Sequence, residues 1–484
     1  MRIAFFMRNV GYIRNFEWVI RELARRGYDV QIVVQSAKMQ RNEQAAHAHL
    51  KVLCEDCRNV SYQTLLLEDD RSRFLTLLTR FLRLAQDYLR YLEPEFAATP
   101  KLTRRAAERL KVPALRASID FIGQTKLGRR YLRQFLSRFD RAIPPPAKLI
   151  AFLQKTLPDV VIATPVFGHG SSEPDCFKAA KQLGLRTCLP VASWDNLTSK
   201  GLAHAEPDRV LVWNDAQKSE AIQLHGIPPH RICVTGAHSY DHWFRWRPSG
   251  TRDAFLQKVG LAAGQPYILY LGSSPFIAPN EPPTVLKWLA AIRESGISEL
   301  EKVGVLIRPH PQNADSWAAH DISAYGNTTI YPRGGSNPVN SQAKSDYYDS
   351  LYHCRLVVGV NTSGMIEAGI LGKAVHTVLF EETAETQEGT LHFQHLAAVD
   401  NGLLFISPDL PHHIQELAKV LSTEPNAEDR SKHFVERFIR PAYLDKLPTE
   451  TFVDVVEDLG RQPSPKRRPT TASKLRRWYL PSNG

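Results

Sequence analysis

Gly359-Val360-Asn361-Thr362-Ser363-Gly364-Met365-Ile366-Glu367-Ala368 decides how this chain of 484 residues is read. An apolar run over 356–360 predicts a strand, and apolar residues at helical spacing over 363–371 predict a helix directly after it. The first N–H groups of such a helix have no partner within it, and its dipole is positive at that end. Asn361, Thr362 and Ser363 therefore make a turn suited to a phosphate, with two hydroxyl donors added. Glu367, one turn further on, is placed to accept the two hydroxyls of a ribose. An ordinary capped helix with a surface glutamate fits the same letters.

The strand–helix rhythm continues on both sides of this turn. A strand is predicted over 375–380. Upstream, a strand over 303–307 runs into Arg308-Pro309-His310-Pro311-Gln312. Two prolines fix the backbone around His310, and Arg308 offers a fork for phosphate oxygens. Earlier still, a strand over 267–271 ends in Gly272-Ser273-Ser274, small residues that let a ligand approach the backbone. A plain turn is the alternative at each place, but three phosphate-compatible strand ends in one sheet favour a site. The loop over 386–393, with Gln387 and Thr390, is expected to overhang the donor.

The first half opens with a strand over 2–7, a helix capped by Asn15 and a strand over 30–34, the βαβ start of a parallel α/β sheet. The intervening loop, 8–14, has a single glycine and is not G-x-G-x-x-G, which argues against a dinucleotide cofactor. Strands are predicted over 160–163, 186–192, 210–213 and 232–235. Phe167-Gly168-His169-Gly170-Ser171-Ser172-Glu173 places His169 in the open between two glycines and is not a G-x-S-x-G elbow. Asp195 and Lys200 lie in the loop over 193–201. The expected fold class is α/β, with two Rossmann-like domains facing a cleft at the carboxyl ends of two parallel sheets. The domains are 1–245 and 252–428, followed by a helix over 429–460 that crosses back and a basic tail over 461–484.

Residues 71–148 interrupt the rhythm with leucines and phenylalanines at helical periods and arginines between them, a helical insertion in the first domain. It carries 18 Lys and Arg against 6 Asp and Glu, and the tail carries seven basic residues and no acidic one. Without these two segments the +11 chain has a body of net charge −8. Localised basic charge points to a polyanionic surface, a solvated helical face being the plain alternative. Hydrophobic content of 43% and charged content of 23% are those of a globular protein. No apolar run approaches the roughly 18 residues of a membrane span. Cys54 and Cys57 form a lone CxxC without a second ligand pair, so no metal is expected. The cytoplasm is the expected compartment.

The pair Arg308-Pro309-His310-Pro311 and 361–368, with Gly372-Lys373-Ala374-Val375 after it, resembles the donor half of GT-B enzymes of bacterial surface-polymer synthesis. In CDP-glycerol glycerophosphotransferases an Arg-x-His-Pro motif and a serine-bearing strand-to-helix turn bind the cytidine diphosphate. Bacterial polysialyltransferases have similar motifs, and UDP-N-acetylglucosamine 2-epimerases share the His-Pro turn and a Ser-Gly-Gly turn followed by Glu. The resemblance implies that His310, Thr362, Ser363 and Glu367 contact a donor nucleotide. The 193–201 loop is similar to the Trp-His-Gly-x-x-x-Lys loop of the glycerophosphotransferases, with Asp195 in the place of the catalytic histidine and Asn196 in that of the glycine. Val234-Thr235-Gly236 with Asp241 is similar to the Thr-Gly-Asn-x-x-x-Asp that closes the epimerase N-domain. The likeness spans about 155–420 and leaves out the insertion.

Residues and resemblance together predict a metal-independent glycosyltransferase without a cofactor. It moves a glycosyl or polyol-phosphate group from a CDP, CMP or UDP donor to a hydroxyl of a surface polysaccharide or its lipid-linked precursor. The donor side is Gly272, Ser273, Ser274, Arg308, His310, Asn361, Thr362, Ser363 and Glu367. Asp195 is the expected general base, with His169 its rival, and Lys200, Gln387 and Thr390 line the acceptor side. An anionic membrane surface, the inner face of the plasma membrane, is the expected partner, and nucleic acid is not. A nucleotide-sugar epimerase and a non-enzymatic polyanion-binding protein are the alternatives.

Overall fold

Every residue of β1 (Arg2–Met7) after the first is buried, as a central parallel strand covered on both faces requires. Around it β2 (Asp29–Val34), β3 (Val60–Thr64), β4 (Val160–Thr164), β5 (Arg186–Pro190), β6 (Arg209–Val212) and β7 (Ile232–Val234) complete a parallel sheet. The strand order is β3-β2-β1-β4-β5-β6-β7. A second parallel sheet contains β8 (Tyr267–Leu271), β9 (Gly304–Arg308), β10 (Thr328–Ile330), β11 (Leu356–Gly359), β12 (Ala374–Val378) and β13 (Leu404–Ser407), in the order β10-β9-β8-β11-β12-β13. Both orders reverse at a switch point, between β1 and β4 in one sheet and between β8 and β11 in the other. In such sheets ligands bind beyond the carboxyl ends of the strands at that point.

The computed structural model describes residues 1–35, 43–66, 71–338, 340–398, 402–423 and 427–463. The chain divides into two compact units, residues 1–239 with the segment from 443 onward, and residues 240–442. In the first unit the Pro448–Arg461 helix packs on the Ile13–Arg25 helix, and Arg26 bridges to Asp454 at 2.6 Å and Glu457 at 2.9 Å. Both units have the Rossmann-like α/β architecture.

The insertion is helical: Arg73–Arg90, Pro100–Arg109, Pro113–Gly123 and Lys126–Ala142 follow one another between β3 and β4. Its arginines are not all a solvated face. Arg83, Arg90 and Arg129 are buried. Arg83 donates to Asp175 at 2.6 Å and Asp140 at 3.2 Å, and Arg129 to Glu93 at 2.7 Å. Arg83 thus ties the insertion to the helix that follows β4, and Arg129 closes a pair within the insertion.

Several local expectations change. The first helix begins at Ile13, so Asn15 lies inside it and is not its cap; its Nδ2 instead donates to Ala192 O at 2.8 Å. β3, β10 and β13 are strands that the apolar pattern did not announce, because Val60-Ser61-Tyr62-Gln63-Thr64 and Thr328-Thr329-Ile330 sit at sheet edges with polar faces. The single helix expected over 429–460 is three pieces, Ala427–Phe434, the π-helical turn Val435–Ile439 and Pro448–Arg461. Of the basic tail, 464–484 lies outside the described residues.

Candidate functional site

At the switch point of the second unit, β8, β9 and β11 deliver three of the sequence motifs to one end of one sheet. Arg308 is the last residue of β9 and is buried. Its Cζ stands 5.0 Å from the centroid of the Tyr347 ring, and its Nη1 lies 3.5 Å from Asp346 O. Its Nη2 is buried without a hydrogen-bond partner among the described residues. Burial pushes the guanidinium below its usual range. A buried cation with a donor to offer is suited to an anionic ligand.

Tyr347 joins Arg308 to Glu367. Its hydroxyl donates to Glu367 Oε2, and burial, with the Glu367 carboxylate beside it, pushes the phenol well above its usual range. Gly364 makes this possible. A Cβ there would lie 2.8 Å from the Tyr347 hydroxyl and 2.8 Å from Leu271 Cδ1. Glu367 falls in the first turn of the Gly364–Ile370 helix and is half-buried. Thr362 is half-buried and Ser363 exposed. His310 follows Arg308 at the same end, and its Nδ1 accepts from Gln312 N at 3.1 Å. In a neutral ring this puts the proton on Nε2, which is then a donor.

Other predicted donor residues turn inward. The atom that approaches Gly272 is the backbone nitrogen of His310, 2.8 Å from where a Cβ would stand, so its smallness serves the packing of β8 on the β9 turn. Ser273 is buried, and its N–H donates to both carboxyl oxygens of Glu281, at 2.8 and 3.0 Å. Ser274 is half-buried and its carbonyl accepts from Ile277 N at 2.9 Å. Asn361 is buried and its Nδ2 donates to Thr386 O at 2.6 Å. Gln387 and Thr390, expected to line an open face, are also buried. Gln387 Nε2 donates to Thr377 Oγ1 and Val378 O, both at 3.0 Å, and Thr390 Oγ1 to Gln387 O at 2.9 Å. These side chains hold the 383–392 segment against β11 and β12. The expectation that they contact an acceptor is corrected on that ground.

In the first unit the sequence candidates stand in the loops after β4 and β5. Asp195 begins a short helix, Asn196–Ser199. Its carboxylate accepts from Ser193 Oγ and Ser199 Oγ, each at 2.8 Å, and pairs with Lys200 Nζ at 3.1 Å. His169 was expected in the open. It is instead closed over by the insertion, with its side chain 4% exposed against 20% for Asp195. Burial pushes the imidazole down. Its Nδ1 lies 3.7 Å from Asp87 Oδ2.

Sequence reasoning missed Asp87 altogether. From the Arg73–Arg90 helix it accepts from Leu202 N at 2.7 Å and Gly170 N at 2.9 Å, and pairs with His204 Nε2 at 2.8 Å. Burial opposes its ionisation, but the His204 and His169 rings outweigh that and hold the carboxyl well below its usual range. Arg90 Nη1 and the Tyr91 hydroxyl donate to Lys200 O at 2.9 and 2.7 Å. Arg8, directly after β1, pairs with Glu173 across the switch point, with Nη2 to Oε2 at 3.0 Å. The one sequence signal for this pair was charge at the end of an apolar strand. Among the described residues no helix is long and apolar enough to cross a membrane.

No family model matches the chain, and no curated protein matches it. Solved structures do. A glycosyltransferase from Rickettsia africae ESF-5 matches with a TM-score of 0.52 at 10% identity, over 96% of this chain and 99% of that one. UDP-GlcNAc 2-epimerase from Neisseria meningitidis, bound to UDP-GlcNAc, gives 0.51 at 11% identity, over 95% and 100%. A further UDP-N-acetylglucosamine 2-epimerase gives 0.51 at 14% identity, over 97% and 99%. At such identities the likeness shows the fold alone, and with the two strand orders above that fold is the GT-B one, built from two Rossmann-like α/β units.

Proposed function

We propose that the chain is a transferase that moves a glycosyl or polyol-phosphate group from a nucleotide-activated donor to a hydroxyl of a surface polysaccharide or its lipid-linked precursor. The observation that carries this is the Arg308–Tyr347–Glu367 group at the switch point of the second unit. The buried guanidinium supplies positive charge for a diphosphate, and the carboxylate held by Tyr347 suits a ribose. His310 adds a donor at the same strand ends. Fixed positive charge in a water-poor site stabilises a leaving phosphate as charge develops on it.

An acceptor hydroxyl must lose its proton as it attacks. Asp195 is the proposed acceptor of that proton, since it keeps some exposure where His169 is covered. The Ser193, Ser199 and Lys200 donors must give way, or one must relay, for it to act. Titration calorimetry with UDP, CDP, CMP and GDP tests the donor half. One of these should bind, and Arg308→Gln and Glu367→Ala should each weaken it by roughly 1–3 kcal/mol, the cost of one charged or buried hydrogen bond. Unchanged affinity in both variants removes the donor assignment. Asp195→Asn should lower turnover by roughly 10²–10⁴-fold and leave nucleotide binding intact.

A nucleotide-sugar epimerase is the second reading, because two of the three structures named above are UDP-GlcNAc 2-epimerases and one of these is bound to UDP-GlcNAc. Conversion of donor without acceptor selects it.

A further inference from the structure

We propose that the outer face of the Pro113–Gly123 and Lys126–Ala142 helices docks on an anionic lipid surface. The aromatic side chains would enter the interface, and the basic ones would meet the headgroups. Nine of the seventeen exposed large hydrophobic residues in the described chain lie on the insertion. On the second of these helices Leu127, Tyr131, Phe135 and Phe139 follow one another at every fourth position and are 63, 68, 56 and 52% exposed. Four residues make slightly more than one turn, so the four side chains form one slowly drifting stripe. The opposite side holds Arg129, Leu136 and Asp140, all buried, against the Arg73–Arg90 helix. The stripe is therefore the face left over after the helix has packed. Phe121, 77% exposed, extends it onto the preceding helix.

The charges choose the occupant. Lys126, Arg130 and Arg138 are exposed on the same helix, Arg138 within the stripe and the other two away from it. The one acidic residue of this helix, Asp140, is buried and tied to Arg83 and Lys178. Amphipathic helices with aromatic residues on one face and Lys or Arg on its borders bind in the plane of a bilayer. Long basic side chains can keep their heads at phosphate depth while their stems cover apolar surface. A second copy of this chain fits poorly. Interface cores are depleted in charge, and self-pairing of this face would set cation against cation.

The proposal does not depend on the donor site, and its test keeps the two apart. Full-length protein is sedimented with vesicles of phosphatidylcholine alone and with phosphatidylglycerol admixed, at low and high salt. Wild type should partition to the anionic vesicles. A triple Lys126→Gln, Arg130→Gln, Arg138→Gln variant should lose roughly 100-fold at low salt, since each basic residue near such a surface contributes about a factor of five. Tyr131→Ser with Phe135→Ser should lose roughly tenfold or more at either salt, because rings in the interface are screened little by ions. Phe135→Trp should show a blue-shifted emission only with anionic vesicles. All these positions are exposed, so melting temperature and nucleotide affinity should stay at wild-type values. The tail from residue 464 is common to every variant, so differences read the helices. No partition of folded wild type to anionic vesicles, or equal partition of both variants and wild type, overturns the proposal. Self-association abolished by the serine variant would assign the face to a second copy instead.

Discussion

The loops beyond the strand ends are held by different means in the two units. In the first, the loops after β4 and β5 are held by charged side chains from far along the chain. Asp87 reaches Gly170 across 83 residues and Leu202 across 115, and Arg90 reaches Lys200 across 110. In the second, the loops after β8 and β11 are held mostly by uncharged groups, several of them near in sequence, although the Thr386 hydroxyl reaches Ile277 O across 109 residues. Glu281 is 8 residues from Ser273, Tyr347 is 20 from Glu367, Asn361 is 25 from Thr386 and Gln387 is 27 from Val360. Local groups can build a site from one stretch of chain. The first unit's loops take these long-range holds from the insertion.

The largest expected effect tests that dependence. Asp87→Ala leaves the Gly170 and Leu202 N–H groups and the His204 ring without their acceptor in a buried place. Breaking a buried pair in this way typically costs about 3–5 kcal/mol. Urea denaturation should show that loss, with the first unit unfolding earlier. A cost below about 1 kcal/mol would mean that the loops do not rely on the insertion's charge. In the second unit the matching step is Gly364→Ala. The new Cβ must displace Leu271 or the Tyr347 hydroxyl, so the Tyr347–Glu367 bond is strained or lost. Overpacking of this kind costs about 1–3 kcal/mol, and thermal unfolding together with nucleotide titration should show both stability and affinity reduced. If affinity holds while stability falls, Tyr347 does not position Glu367 for a ligand.

The same contrast explains what the amino-acid sequence discloses. β1 and β8 were readable residue for residue, because a strand buried on both faces is a continuous apolar run. The edge strands β3 and β10 were not, since half of their side chains meet water. Arg308, His310 and Glu367 were legible as candidates because each ends a strand or starts a helix within its own motif. Tyr347 was hidden inside a polar helix, Ser341–Tyr352, with nothing local to mark it. Asp87 is one of six acids among eighteen bases in the insertion, with nothing local to single it out. Its role depends on Gly170 and Leu202, which only the fold brings near. Gln387 and Asn361 misled for a related reason. A buried amide that pins a segment and an exposed one that meets a ligand look alike in one dimension.

The last effect is a slope, modest per pH unit, and it concerns the one carboxyl group among the second unit's near-neighbour holds that is buried beside an uncharged partner. Glu281 accepts from Ser273 N and, at 3.2 Å, from the Tyr270 hydroxyl. Burial outweighs these donors and pushes its carboxyl up to about 8. The unfolded chain has an ordinary glutamate near 4.3. Between these two values the folded protein holds a proton that the unfolded chain has released. The contribution of Glu281 to stability is therefore fully present below about pH 4, falls as pH rises, and is lost once pH passes the folded value. The fall cannot exceed about 1.4 kcal/mol per pH unit for one group. Glu281→Gln has no such proton to lose. The difference in unfolding free energy between variant and wild type should thus grow in the variant's favour from about pH 4.5 to about pH 8 and be flat on either side. Other titrating groups are common to both proteins and cancel in that difference. Chemical denaturation at half-unit intervals from pH 4 to pH 9 measures it. A flat difference across the whole range would show that Glu281 is ionised in the folded state. The β8 turn would then be held by a charge, and the contrast between the two units would lose its second half.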